Sequence, residues 1–315
     1  MAQQKQRLFT GLQPSGTLHI GNYFGALKPF FDIYQDYDSM LMVADYHALT
    51  SSPNPKELNQ NILDNVRDYL AAGVDPGKAI VFQQSQMHEH TELAWIFECL
   101  VPVAYLELAH AYKDKVAKGL KANAGLFNYP MLMAADMLLY DTHIVPVGRD
   151  QKQHVEYARE AATKFNIAYG ETFIEPKDKI LESVGVVPGT DGQKMSKSYG
   201  NTIPLFGTKD EISKAVMSIV TDSSGKRPEN VYAIHKLFKN EKELAPLYET
   251  NKGKYKILKE MLIEDIEKMI APMRGKRDSI SDDDVNRVLE EGSAKARAIA
   301  AKKMEIVRQK VGVTL

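Results

Sequence analysis

At 315 residues the chain is long enough for two domains, each with its own core. Forty Lys and Arg against 41 Asp and Glu leave a formal charge of -1, which excludes recruitment of a partner by a global field and confines any nucleic-acid surface to a local patch. With 44% hydrophobic and 26% charged residues, the composition excludes collagen-like, low-complexity and wholly disordered chains, and one cysteine, Cys99, excludes an intrachain disulfide or a multi-cysteine metal site.

Residues 1–7 are polar and run into Leu8-Phe9-Thr10 without the apolar stretch of a signal peptide, so the cytoplasm is the expected compartment. Short apolar runs at residues 8–10, 40–44, 79–83 and 144–147 predict strands. Between them, Phe24, Leu27, Phe31 and Tyr34 predict a helix over 22–34, and Leu58, Ile62, Val66, Tyr69 and Leu70 predict another that ends at Gly73. That alternation is the pattern of crossover units around a parallel sheet, an α/β fold. The apolar stretches 94–108 and 129–140 contain Glu98, Glu107 and Asp136 and are too short for membrane spans, so they are core candidates.

The alternation stops at Val187-Pro188-Gly189-Thr190-Asp191-Gly192, a run built for turns. Beyond it the periodic segments are all helical, at 210–220, 230–238, 255–270, 282–290 and 294–311. The boundary therefore falls near residue 205, with an α/β domain over 1–205 and an all-helical domain over 206–315 whose last helix, 294–311, has the option of packing back on the first. Residues 292–311 carry Lys295, Arg297, Lys302, Lys303, Arg308 and Lys310 against Glu305, a net charge of +5 that fits either a solvated helix face or a phosphate-binding stripe.

Two glycine-bounded segments carry chemistry. The first, Gly11-Leu12-Gln13-Pro14-Ser15-Gly16-Thr17-Leu18-His19-Ile20-Gly21-Asn22, leaves a strand and enters a helix, where glycines let backbone approach an anion closely. Its spacing matches neither of the common phosphate-loop fingerprints, so a plain strand-to-helix turn remains open on spacing alone. The second, Gly192-Gln193-Lys194-Met195-Ser196-Lys197-Ser198-Tyr199-Gly200, sets two cations and two hydroxyls on a loop able to swing onto a polyphosphate, or to lie solvated on the surface.

Together these segments resemble the paired HIGH and KMSKS signatures of class I aminoacyl-tRNA synthetases. Lys194 to Ser198 match the second letter for letter, and His19-Ile20-Gly21 match the first, with Asn22 in place of its last histidine. Tyr129-Pro130-Met131-Leu132-Met133-Ala134-Ala135-Asp136 and Val145-Pro146-Val147-Gly148-Arg149-Asp150-Gln151-Lys152-Gln153-His154 look like the subgroup that handles tryptophan and tyrosine. The matches run from residue 8 to residue 201.

The resemblance implies a Rossmann-like catalytic domain followed by a helical domain that binds the tRNA anticodon, working as a homodimer with ATP and Mg²⁺. It implies that an amino-acid carboxylate, already ionised, attacks the α-phosphorus of ATP, so that the protein positions groups and stabilises charge without a nucleophilic side chain. His19 and Asn22 then stand beside the triphosphate, while Gln13, Pro14, Ser15 and Gly21 line the nucleotide. Lys194, Lys197 and, more distantly, Lys115 and its neighbour Lys113 hold departing pyrophosphate, with Met195, Ser196 and Ser198 completing that loop. Gly148, Arg149 and Asp150 fall near the ribose, and the Val187 backbone near adenine.

For the amino acid, the resemblance places Asp136 at the pocket floor as acceptor for a ring donor. A carboxylate in so apolar a run needs a partner, which the ligand's ring N-H supplies unless protein groups already do. Tyrosine-selecting relatives carry a tyrosine at the position of Phe9 and a polar group at that of Met133. Here both are apolar, so a phenol oxygen would go unpaired at a cost of about 1–3 kcal/mol, and L-tryptophan with tRNA(Trp) is the better fit. Tyr129 and Gln151, with His47 nearby, are left to orient the amino group. Two other classes stay open: an adenylate-forming nucleotidyltransferase that uses no tRNA, and a non-catalytic paralogue that keeps the fold to bind RNA.

Overall fold

The computed structural model describes residues 5–51, 53–119, 121–147, 152–180, 186–221 and 227–314. Among them, β1 (Arg7–Leu12), β2 (Asp38–Val43), β3 (Ala79–Gln83), β4 (Ile144–Val147) and β5 (Lys177–Ile180) form one sheet in the order β3-β2-β1-β4-β5, with every neighbouring pair parallel. Four of these strands are the apolar runs read from the sequence. The fifth, Lys177-Asp178-Lys179-Ile180, is polar and lies at one sheet edge, whereas β3 at the other edge is apolar and covered by the helix at residues 282–311.

The helices in chain order are α1 (Ile20–Asn22), α2 (Lys28–Phe31), α3 (Asp45–Ala48), α4 (Pro55–Ala72), α5 (Glu89–Glu98), α6 (Val103–Leu106), α7 (His110–Ala117), α8 (Ala124–Leu138), α9 (Lys152–Tyr169), α10 (Lys209–Met217), α11 (Glu229–His235), α12 (Glu241–Thr250), α13 (Tyr255–Asp278) and α14 (Asp282–Val311). The single helix expected over 22–34 is instead α1, a wide-wound stretch at Tyr23–Leu27, and α2. Pro29 offers no N-H to the carbonyl four residues earlier, so the regular ladder cannot run through. Helix α4 behaves as read: Asn54 caps it, Pro55 opens it, and Gly73, at φ +124°, closes it.

Two cores flank the sheet. One joins Leu8, Ile20, Phe24, Leu41 and Val66 to Ile212, Val216, Ile266 and Val285 of the helical half, so apolar packing is continuous across residue 205. The other gathers Phe9, Met40, Phe82, Met131, Ala135 and Tyr140 with Ala296, Ala300, Met304 and Val307. Helix α14 contributes to both. Where two helices were expected it is one, because Gly292 is no terminus: a Cβ there would lie 1.7 Å from the Val81 carbonyl oxygen, so the glycine lets the helix cross against β3.

The basic face of α14 is largely spent on the first half of the chain. Arg308 pairs with Glu92 at 2.5 Å, Arg297 donates to the Gln86 carbonyl at 2.6 Å, Lys303 to that of Thr172 at 3.0 Å and Lys310 to that of Glu171 at 2.8 Å. Of the stretch 94–108, Ala94, Phe97, Val101 and Leu106 are buried, but Trp95 is 67% and Val103 63% exposed. Among the described residues no helix is long and apolar enough to cross a membrane.

Candidate active site

The exit of β1 makes the first wall. Ser15 N donates to the Gln13 carbonyl at 2.9 Å, Gly16 turns the chain at φ +84°, and Asn65 of α4 fixes the turn by donating to the Gly16 carbonyl at 3.1 Å. Pro14 is buried beneath it. His19 caps α1 reciprocally with Asn22: Asn22 N donates to His19 Nδ1 at 3.3 Å, and His19 N donates to Asn22 Oδ1 at 3.0 Å. That bond leaves the ring proton on Nε2. Burial, and then the charge of Lys197, push the His19 pKa down to about 4, so the ring is a neutral donor at pH 7. A Cβ on Gly21 would sit 2.8 Å from the His19 ring and 3.2 Å from Met195 Cβ, which explains the glycine there.

The lysine loop closes over this turn. Lys197 Nζ donates to the Ser15 carbonyl at 2.6 Å, burial lowers its pKa, and Met195 is buried beneath. Ser196 and Ser198 share a hydroxyl bond of 2.9 Å, while Lys194 is exposed. The loop's clasp is Asn201. It accepts from Ser196 N at 2.8 Å and donates to Asp191 at 2.7 Å and to the Lys194 carbonyl at 3.1 Å. Its close approach needs Gly189, where a Cβ would lie 2.3 Å from the Asn201 amide. The Val187 carbonyl accepts from Met195 N at 2.9 Å, which ties this segment to the lysine loop. Lys118, just beyond the helix α7 that carries Lys113 and Lys115, pairs with Asp114 at 2.7 Å.

The second wall is apolar with a polar floor. Phe9 of β1 is buried and stacks on Tyr140 with ring centroids 5.9 Å apart, and Met133 is half-buried against the same cluster. Asp136, which the resemblance puts at the pocket floor, is 1% exposed on α8. Its carboxylate already has protein partners: His47 Nε2 at 2.8 Å from Oδ2, with His90 Nδ1 at 2.6 Å and Gln84 Nε2 at 2.8 Å from Oδ1. The expectation that the ligand alone supplies its partner gives way to a simple constraint, since a buried carboxylate must be solvated by the fold before any ligand arrives. Burial raises the Asp136 pKa, but hydrogen bonds and charge from His47 and His90 outweigh it and hold the group at about 2.

His47 is thereby committed through Nε2 to the floor, with its ring 6.3 Å from that of Tyr129. The Tyr129 hydroxyl lies 3.1 Å from His154 Nε2. Gly148, Arg149, Asp150 and Gln151 lie outside the described residues. Three residues that the motifs did not point to complete the site: Gln84, His90 and Asn201. Nothing in the spacing of Gln84, His90 or Asn201 marks them: Gln84 and His90 meet Asp136 only once α5 packs against α8.

A glycine turn under a lysine loop, beside the buried aromatic cluster at the strand ends, is the arrangement that the paired signatures define in one enzyme class. Residues 1–282 match the family described as tRNA synthetases class I (W and Y), and the chain belongs to that family. Its similarity concentrates on one side of the pair. The chain is 47% identical to the tryptophan–tRNA ligase of Fusobacterium nucleatum, over 98% of each chain, and 44% identical to that of Rhodopirellula baltica, over 98% of this chain and 99% of the other. Among solved structures, the tryptophanyl-tRNA synthetase of Campylobacter jejuni complexed with ADP and tryptophan superposes with a TM-score of 0.90 at 45% identity, over 98% of this chain and 100% of that one.

Proposed function

We propose that this chain activates L-tryptophan with ATP and transfers it to the 3′ end of tRNA(Trp), as a ligase of protein biosynthesis in the cytoplasm. A tryptophan carboxylate oxygen attacks the α-phosphorus and forms tryptophanyl-adenylate, while the bond to the bridging oxygen breaks and pyrophosphate leaves. The acyl group then passes to a terminal ribose hydroxyl and AMP is released. The observation that carries this reading is the 2.6 Å contact of Lys197 with the Ser15 carbonyl, which brings the cationic loop onto the glycine turn of the nucleotide site.

In this reading His19 and Asn22 donate to the phosphates, Gln13, Pro14, Ser15 and Gly21 line them, and Lys194, Lys197 and Lys115 neutralise the departing pyrophosphate. Met195, Ser196, Ser198 and Val187 shape the loop side, with Gly148, Arg149 and Asp150 assigned to the ribose. Tryptophan lies between Phe9 and Met133, its ring N-H on Asp136 Oδ2, its amino group toward Tyr129 and Gln151, and His47 at the shared floor. Mg²⁺ is assigned to the substrate, as the magnesium complex of ATP.

Residues 206–315 are assigned to the anticodon end of the tRNA and residues 1–205 to catalysis. A second copy of the chain is assigned to the face around Trp95 and Leu49, whose exposed apolar groups line one hollow with Tyr46, Tyr129 and Leu132. Exchange of labelled pyrophosphate into ATP tests the function. We expect stimulation by tryptophan and not by tyrosine, followed by charging of total tRNA; stimulation by tyrosine alone, or adenylate without acylated RNA, would overturn it.

A further inference from the structure

Asp136 is one end of a longer chain of bonds that the reaction scheme does not use. A carboxylate only accepts, so His90 must carry its proton on Nδ1, 2.6 Å from Oδ1. The other ring nitrogen, Nε2, lies 2.8 Å from the Tyr140 hydroxyl. Burial drives the Tyr140 pKa far above its ordinary value, so the phenol keeps its proton and donates it to Nε2. His90 is 0% exposed and packed face to face with Phe82, with ring centroids 6.2 Å apart. Gln84 is oriented as firmly: Tyr46 N donates to its Oε1 at 3.1 Å, which turns Nε2 onto Asp136 Oδ1 at 2.8 Å.

Oδ1 therefore receives two donors and is saturated, whereas Oδ2 receives one, from His47. A carboxylate has about four lone-pair sites, and the one left over belongs to Oδ2. With Oδ1 pinned twice, the group cannot rotate to present a different oxygen. Building on the reading that tryptophan occupies the slot, we infer that Gln84, His90 and Tyr140 are positioning residues. They lock the Asp136 carboxylate so that a single aimed acceptor selects substrates with a ring N-H. None of the three needs to touch the substrate.

The test compares kcat/KM in pyrophosphate exchange for tryptophan and for 3-(benzothiophen-3-yl)alanine, in which sulfur replaces the ring N-H. The protein itself should prefer tryptophan by about a hundredfold or more, since a site built around a donor rejects an analogue that lacks it. Tyr140→Phe, which removes one oxygen, should cut that preference by about threefold to tenfold. His90→Leu should cut it by tenfold or more, and His90→Asn, whose amide nitrogen falls near Nδ1, should recover most of it. If Tyr140→Phe and His90→Leu lower both substrates in parallel and leave the ratio unchanged, the residues are scaffold and the inference falls. If the unaltered protein shows no preference, the assignment of Asp136 to the ring N-H falls first and takes the inference with it.

Discussion

His19 shows how a motif letter acquires a chemical state. Its Nδ1 accepts from Asn22 N, and burial with the neighbouring Lys197 charge lowers its pKa to about 4, so between pH 8 and 5 the ring is neutral with its proton on Nε2, the state the proposed phosphate contact needs. In a histidine NMR titration its ring signal should therefore stay unmoved until the pH approaches 4, and a midpoint near 6.5 would show a solvated ring. Lys197 acts by charge, so Lys197→Ala should lower kcat for exchange by about 10²–10³ while leaving tryptophan binding within about twofold, by analogy with loss of one donor to a developing charge. A fall in tryptophan affinity as large as the fall in kcat would contradict that role. His19, Lys194 and Lys197 were legible because they lie in contiguous motifs. Gln84, His90 and Asn201 were not, since each acts by meeting a residue that only the folded chain brings near: Asp136 for the first two, Asp191 and the turned backbone for the third.

The elements were read well where one face is buried and poorly where a partner, not a propensity, decides. Strands β1 to β4 and helix α4 carry their burial in their letters. Edge strand β5 does not, and the break expected at Gly292-Ser293 is the place where α14 lies on the backbone of β3. Gly292→Ala would force a Cβ against the Val81 carbonyl oxygen, 1.7 Å away before relaxation. That substitution should cost about 1–3 kcal/mol of stability in chemical denaturation, as overpacking does, in spite of alanine's higher helix propensity. A stabilised variant would mean that α14 is free to lift. The helix also explains why its positive charge is a poor guide to RNA: Arg297, Lys303, Arg308 and Lys310 hold it to the first half of the chain.

Across the molecule, buried titratable groups set the response to acid. The unfolded His19 takes a proton near 6.5 and the folded one only near 4, so His19 loses stability as pH falls through that window. Asp68 opposes it: burial, only partly offset by Arg277, raises its pKa from 3.8 to about 6, so the folded state binds that proton first and gains on acidification. Asp136, held at about 2 against 3.8 when unfolded, loses stability as pH falls from about 4 to 2, and the lowered carboxylates Asp178 and Asp265 act in the same direction. The melting temperature should thus decline gently from pH 6.5 to 4 and steeply below 4, as calorimetry will show; a steepest fall between pH 6 and 5 would contradict this balance.

One further property follows from where the chain keeps its only indole. Trp95 stands 67% exposed on α5, in the hollow it lines with Leu49 and Tyr129, and is the single tryptophan in the sequence. Excited beyond the absorption of its 15 tyrosines, the unliganded protein therefore emits from one outer spot, with the colour of a water-bathed ring wherever no second copy covers it. Dilution would shift that colour if a neighbouring copy shields the spot, and captured amino acid would add its own bluer light. An unmodified sample thus holds two optical channels, one for assembly and one for occupancy.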